Sequence, residues 1–199
     1  MMRHSFPIRL ARVAALGLVV TLLGLLAWRI SHPGHGRQFA SELQAHKRPQ
    51  APGFALPVLW PHPDTWPRAK RRALADGTVG PDELQGHTVV INFWESWCRP
   101  CEREMPRLKA AASRHRGEVI FLGVDVQDFK GDARRFLARF DVNFVSVRDG
   151  SGTTYGDYGL TGVPQTFFLD RTGRVVAHAL GEISVRELEA GVTKRRAGS

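Results

Sequence analysis

The residues of this chain best suited to chemistry are its two cysteines, Cys98 and Cys101, separated by Arg99 and Pro100. A c-type haem attachment site needs His directly after the second cysteine, and Glu102 stands there. A structural zinc site needs further Cys or His ligands at close spacing, and the sequence has no second pair. The pattern therefore reads as a redox-active dithiol, with no metal and no cofactor beyond the disulfide itself.

The flanking sequence says how such a pair is held. Val89–Trp94 is an apolar, β-branched and aromatic run, the signature of a strand buried on both faces. Beyond it, Cys101, Met105, Leu108 and Ala112 recur at spacings of three and four, which gives a helix one buried face. Cys98 then sits at the helix N-terminus, where unpaired N–H groups and the positive dipole end favour an anion. A thiol there loses its proton more readily, and the thiolate is the nucleophile. Cys98 is expected to be the exposed attacking sulfur and Cys101 the buried resolving one. Pro106 should kink this helix, and Gly117 should end it.

Val119–Val124 reads as a second buried strand, and two parallel strands joined by a helix make a βαβ unit. Asp132 is expected to cap a helix whose apolar face is Ala133, Phe136, Leu137 and Phe140. Phe144–Val147 reads as a short strand and Tyr155–Leu160 as a short irregular helix. Gly162-Val163-Pro164 leads into Thr166–Asp170, which pairs through the turn Arg171-Thr172-Gly173 with Val175–Leu180. Ser184 and Glu187 form a capping box for a last helix.

The start of the chain bears on compartment. Val13–Trp28 is an uncharged apolar run of 16 residues preceded by Arg3, Arg9 and Arg12. Sixteen helical residues span about 24 Å against a bilayer core of about 30 Å. Extending to Leu10–Ile30, with Arg12 and Arg29 snorkelling outward, closes the gap. The expectation is an uncleaved membrane anchor over residues 1–30, with a cleaved signal peptide as the alternative. The Arg-bearing end stays inside, and the catalytic domain lies on the extracytoplasmic side. Residues 31–53 read as a tether with room for a short helix at Gln38–His46, 54–192 as the catalytic domain and 193–199 as a basic tail. His32, His35 and His46 read as solvated tether histidines. Residues 61–80, with Trp66 and the basic run Arg68, Lys70, Arg71 and Arg72, read as an irregular, solvated surface insertion or a docking loop. The formal net charge of +9 is spread over termini, tether and helix surfaces. With no aromatic-basic platform evident, it does not point to nucleic acid.

Together FWESWCRPC and, about sixty residues later, GVPQTFFLD resemble the thioredoxin superfamily, and within it the TlpA/ResA/CcmG-like thiol–disulfide oxidoreductases. Gly123–Asp128, a helix-plus-strand insertion at about Phe129–Asp149, and Tyr158–Asp170 carry the narrower resemblance. It implies an α/β thioredoxin-like fold, a central mixed sheet flanked by helices. It implies that Pro164 is a cis-proline lying against the dithiol, with Val163 offering backbone hydrogen bonds to a substrate strand. Trp97, Pro100 and Pro164 would shape the groove, and Arg99 would help hold Cys98 as thiolate. Plain thioredoxins carry a buried Asp at the position of Asn92. Glu95 stands where small residues are common in the family. It is read either as a proton acceptor for Cys101 or a charge tuning Cys98, or as a solvated turn residue.

The function expected is reduction of disulfides in partner proteins, for example in cytochrome c maturation, with electrons from a membrane donor protein. The alternatives are a disulfide oxidase for exported proteins and a non-catalytic thiol-pair module for Cu(I) or apoprotein delivery. A peroxiredoxin-like peroxidase is disfavoured because no Thr precedes Cys98 in the required pattern.

Overall fold

The computed structural model describes residues 6–31 and 35–194. Arg3, residues 32–34 of the expected tether and the end of the basic tail from residue 195 lie outside the described residues. The chain divides into two compact units, residues 1–35 and 36–199.

The first unit is one helix, α1 (Phe6–Ser31). Its large apolar side chains Leu16, Leu18, Val20, Leu23 and Leu26 are all exposed. Among the described residues, no helix is long and apolar enough to cross a membrane. The anchor expected over residues 1–30 is therefore not shown by the structure.

The second unit opens with α2 (His35–Gln44). The short helix allowed for in 31–53 forms, starting a few residues earlier, but the stretch packs on the domain and is not a free tether. Phe39 is buried and meets Tyr158 edge-on, with ring centroids 5.4 Å apart. Gly36 allows the approach, because a Cβ there would run into the Gly156 carbonyl. Gln50 bridges to Arg174, and Val175 N donates to Pro49 O.

Seven strands follow, interleaved with helices that include the short α3 (Arg68–Arg71) and α4 (Pro81–Leu84): β1 (Leu56–Trp60), β2 (Thr78–Val79), β3 (Thr88–Trp94), β4 (Val119–Val126), β5 (Val145–Asp149), β6 (Gln165–Leu169) and β7 (Val175–Leu180). They form one mixed sheet in the order β2-β1-β5-β4-β3-β6-β7. The central pairs β3–β4 and β4–β5 are parallel, and the pairs toward each edge are antiparallel. Every residue of β3 and β4 is buried, as their near-continuous apolar runs require. The helix-plus-strand segment contributes α6 (Lys130–Arg139) and places β5 between β1 and β4. The expected α/β fold, a mixed sheet flanked by helices, is the one observed.

Apolar clusters cover both faces of the sheet. On one face Val90, Trp94, Phe121 and Phe168 pack with Met105 and Leu108 of α5 (Arg99–Arg114), with Phe136 and Leu137 of α6, and with Leu188 of α8 (Val185–Thr193). On the other Val89, Ile91, Phe93, Ile120 and Phe167 pack with Phe39, Trp66 and Tyr158. The alternation along β3 puts Asn92 on the α5 face, the only polar position of the strand interior.

Two local expectations change. Residues 61–80 are a surface insertion only in part: Arg68 and Arg72 are exposed, but Thr65, Trp66, Pro67, Val79 and Gly80 are buried. Trp66 is fully buried, and its Nε1 donates to Phe121 O at 2.9 Å. Arg71 donates to Trp66 O and Asp64 O, and Lys70 to Asp82 O, so two of the four basic side chains serve local backbone. Asp132 does not cap α6. The N-cap is Phe129, and Asp132, in the first turn, pairs with Arg135. As expected, α5 stops before Gly117: it ends at Arg114, and Gly117 is left-handed at φ +78° in the turn beyond it. The Ser184–Glu187 capping box forms as expected.

Candidate active site

β3 ends at Trp94, and Glu95–Trp97 turn the chain into α5. Cys98 is the N-cap of that helix, with extended backbone (φ −83°, ψ 104°), and its Sγ accepts from Cys101 N at 3.2 Å. Pro100 falls in the first turn, where its missing N–H costs nothing. Cys98 and Cys101 are joined as a disulfide, with Cα atoms 5.2 Å apart. Cys101 is fully enclosed, whereas Cys98 retains 6% of its surface. Cys98 is thus less exposed than expected, because Val163 covers it: the Val163 carbonyl lies 3.8 Å from Sγ. The order of accessibility is still that of an attacking and a resolving sulfur.

The peptide bond between Val163 and Pro164 is cis. Pro164 is itself buried, and Val163 presents the edge of the groove. That groove, of about 430 Å³, brings together Glu95, Trp97, Cys98, Arg99, Pro100 and Val163, all named from sequence. Gln127, Tyr155 and Thr161 complete the wall. Trp97 is 67% exposed at the rim, an apolar surface beside the reactive sulfur.

Behind the dithiol lies a group the sequence reading did not select. Glu104, one turn beyond Cys101, is fully buried. Its Oε1 accepts from Asn92 Nδ2 at 2.8 Å, and its Oε2 accepts from Ile183 N at 2.9 Å. Asn92 Nδ2 also reaches Thr166 Oγ1 at 3.1 Å. Burial outweighs these hydrogen bonds and pushes the Glu104 carboxyl up to about 7. At neutral pH it can therefore hold or release a proton, which a carboxyl in water cannot. The signal was available: Glu104 is three residues from Cys101 and four from Leu108, on the buried face of the helix.

A second acidic group flanks the groove. Glu95 is 3% exposed, so the solvated-turn reading is corrected. Burial, and then the charge of Asp128, push its carboxyl up to about 7. Asp128 holds the turn before Cys98: its Oδ2 accepts from Ser96 N at 2.6 Å and its Oδ1 from Ser96 Oγ at 2.9 Å. Asp125, at the end of β4, is pushed up to about 8 by burial and by Asp128, despite Arg148 Nη1 at 3.1 Å. Among the described residues, no group of three or more His, Cys, Asp or Glu side chains could hold a metal ion.

This geometry can perform thiol–disulfide exchange. One sulfur caps a helix at a groove, its partner is enclosed, and a protonatable carboxyl lies a turn behind.

Comparison with known proteins agrees. The profile of the AhpC/TSA family matches residues 49–178. A Bacillus cereus thiol-disulfide oxidoreductase ResA is 30% identical over 178 residues, covering 88% of this chain and 93% of the relative. The Bacillus anthracis protein of the same name is 31% identical over 115 residues, 56% of this chain, and that match spans 65% of the relative's length. The crystal structure of a protein described as thiol:disulfide interchange protein DsbE from Chlorobium tepidum superposes with a TM-score of 0.62 at 27% identity. It covers 74% of this chain and 96% of that one.

Proposed function

The chain belongs to the AhpC/TSA family, and from that premise we propose that it is a thiol–disulfide oxidoreductase that reduces disulfides in partner proteins. The observation that carries the reading is the Cys98–Cys101 disulfide, whose Cys98 lines a groove edged by Val163 and Trp97 while Cys101 is enclosed behind it. In the reduced protein the Cys98 thiolate attacks a substrate disulfide. One substrate sulfur leaves as thiol, and a mixed disulfide forms. Cys101, losing its proton, attacks Cys98 Sγ and releases the second substrate thiol, so two electrons pass to the substrate. Glu104, the buried carboxyl one turn beyond Cys101 on the same helix and raised to about 7, serves as the acceptor for that proton on this reading.

Regeneration needs a dithiol donor. On this reading the catalytic domain works outside the cytoplasm, takes electrons from a membrane protein, and serves steps such as preparing apocytochrome c for haem attachment. What supports the location is the exposed apolar run over residues 16–26 of α1, with Arg3, Arg9 and Arg12 before that run in sequence. What supports the role is similarity to relatives named ResA.

Trapping tests the chemistry. Cys101→Ser should attack but not release, so mixed disulfides with partner proteins should accumulate on non-reducing gels, and Cys98→Ser should trap little. Trapping by Cys98→Ser alone would reverse the two roles. Trapping by neither, together with no reduction of insulin disulfides by the native protein, would refute the activity.

A further inference from the structure

Glu95 sits almost sealed beneath the groove, 3% exposed, and its Oε2 has no hydrogen-bond partner among the described residues. It lies close under the groove wall that also carries Cys98, Arg99 and Tyr155. A buried carboxyl with an empty lone pair is costly unless something fills it.

The groups packed around it do not fill it. Asp128, on the loop after β4, is negative and opposes its ionisation. Arg148, the cation of that corner, is engaged elsewhere: Nη1 with Asp125 Oδ2 at 3.1 Å and Nη2 with Asp128 O at 2.6 Å. Tyr155, on α7 (Thr153–Asp157), is kept protonated first by burial and then by the Glu95 charge, and no hydrogen bond joins its hydroxyl to Glu95 among the described residues. Arg99 faces the same groove from the first turn of α5, but it is exposed and makes no contact with Glu95 among the hydrogen bonds and ion pairs described.

We infer that Glu95 forms a subsite for a basic side chain, Lys or Arg, carried next to the cysteine of the substrate segment. The inference rests on the oxidoreductase reading and specifies its substrate class. A cationic group entering beside Cys98 is drawn to the Glu95 carboxylate where that residue lines the groove, offsets the unfavourable local negative charge and sets the register of the disulfide against the thiolate. An acidic residue at that position meets Glu95 and Asp128 instead.

The test uses the full chain, reduced and freed of reductant. The substrates are two short disulfide-linked peptides, identical except for Lys or Glu beside the cysteine. Bis(2-hydroxyethyl) disulfide serves as a neutral reference for each variant. Second-order rate constants are measured at pH 8 and pH 6, and the Lys-to-Glu ratio is the readout. The ratio cancels the titration of Cys98, and neither peptide side chain titrates in this range. The ratio should be about tenfold at pH 8 and should collapse toward unity at pH 6, where Glu95 is protonated. In Glu95→Gln the ratio should lose its pH dependence and fall toward or below unity, since Arg99 remains. A ratio near unity at pH 8 in the native protein, or an unchanged ratio in Glu95→Gln, overturns the subsite while leaving the oxidoreductase reading standing. Failure to reduce any of the three disulfides overturns both.

Discussion

Asn92 Nδ2 lies 2.8 Å from Glu104 Oε1, tying the strand that enters the active site to the helix that leaves it. The same carboxylate accepts from Ile183 N at 2.9 Å. One buried side chain thus links β3, α5 and the segment before α8.

Glu104→Gln should break one of these two links. An amide has one oxygen, so it can accept from Asn92 or from Ile183 N, but not from both. The other donor is left facing an NH₂ group, at a cost of about 1–3 kcal/mol for a buried unpaired donor. Urea unfolding at pH 6 should show this loss. Full native stability would mean that the Ile183 contact contributes nothing.

The pH dependence of stability follows from the same carboxyl. The folded value is raised to about 7 from 4.5, so between those values the folded state binds more protons than the unfolded one. Stability is then fullest below about pH 4.5 for this group and is lost as pH rises through 7, by up to about 3 kcal/mol. Glu95 and Asp125, also raised, act in the same direction. Unfolding free energy should fall between pH 5 and pH 8, and Glu104→Gln should flatten part of that fall. A rise over this interval in the native protein would contradict the placement of these acids.

Asp128→Asn should lower the titration points of both Glu95 and Asp125, since Asp128 raises each of them. Side-chain carboxyl NMR titration would read the shift. Two unmoved carboxyls would show that Asp128 is not coupled to them. The amide can retain only some of the contacts to Ser96, so the turn before Cys98 should also loosen.

Trp66 tests the correction made to residues 61–80. Trp66→Phe removes the hydrogen bond to Phe121 O and should cost about 1–3 kcal/mol. Trp66→Ala also leaves a cavity and should cost about 3–5 kcal/mol. A change of a few tenths would return the stretch to the solvated surface.

Much of the site was readable because its signals are local. The spacing Cys98–Cys101, the apolar run before it and the helical periodicity after it place one sulfur at a helix N-terminus and the other on its buried face. The resemblance located Pro164. The parts that escaped depend on tertiary neighbours. Trp66, set among basic surface residues, looks like surface in sequence, since nothing local says that Phe121 O waits for an indole N–H. Asp132 resembled a cap, but the chain enters α6 at Phe129, and Asp132 pairs with Arg135 instead. Glu95 could not be placed from sequence, since its burial is set by the groove and by Asp128, thirty-three residues away. Glu104 was the legible miss, an acid on the apolar stripe of its own helix.

The most direct measurement of the central claim is the reduction potential of the Cys98–Cys101 couple. The helix N-terminus and Arg99 favour the thiolate and pull toward oxidant, whereas Glu95 and Glu104 disfavour it and pull toward reductant. Since about 1.4 kcal/mol is only about 30 mV for two electrons, such charges move the potential by tens of millivolts. The separation between thioredoxin, at about −270 mV, and DsbA, at about −120 mV, is larger than that. Equilibration with a glutathione or dithiothreitol buffer at pH 7 should place this couple near the thioredoxin end, with Glu95→Gln displaced by only tens of millivolts. A potential near the DsbA end would contradict the reductase and make the protein a donor of disulfides.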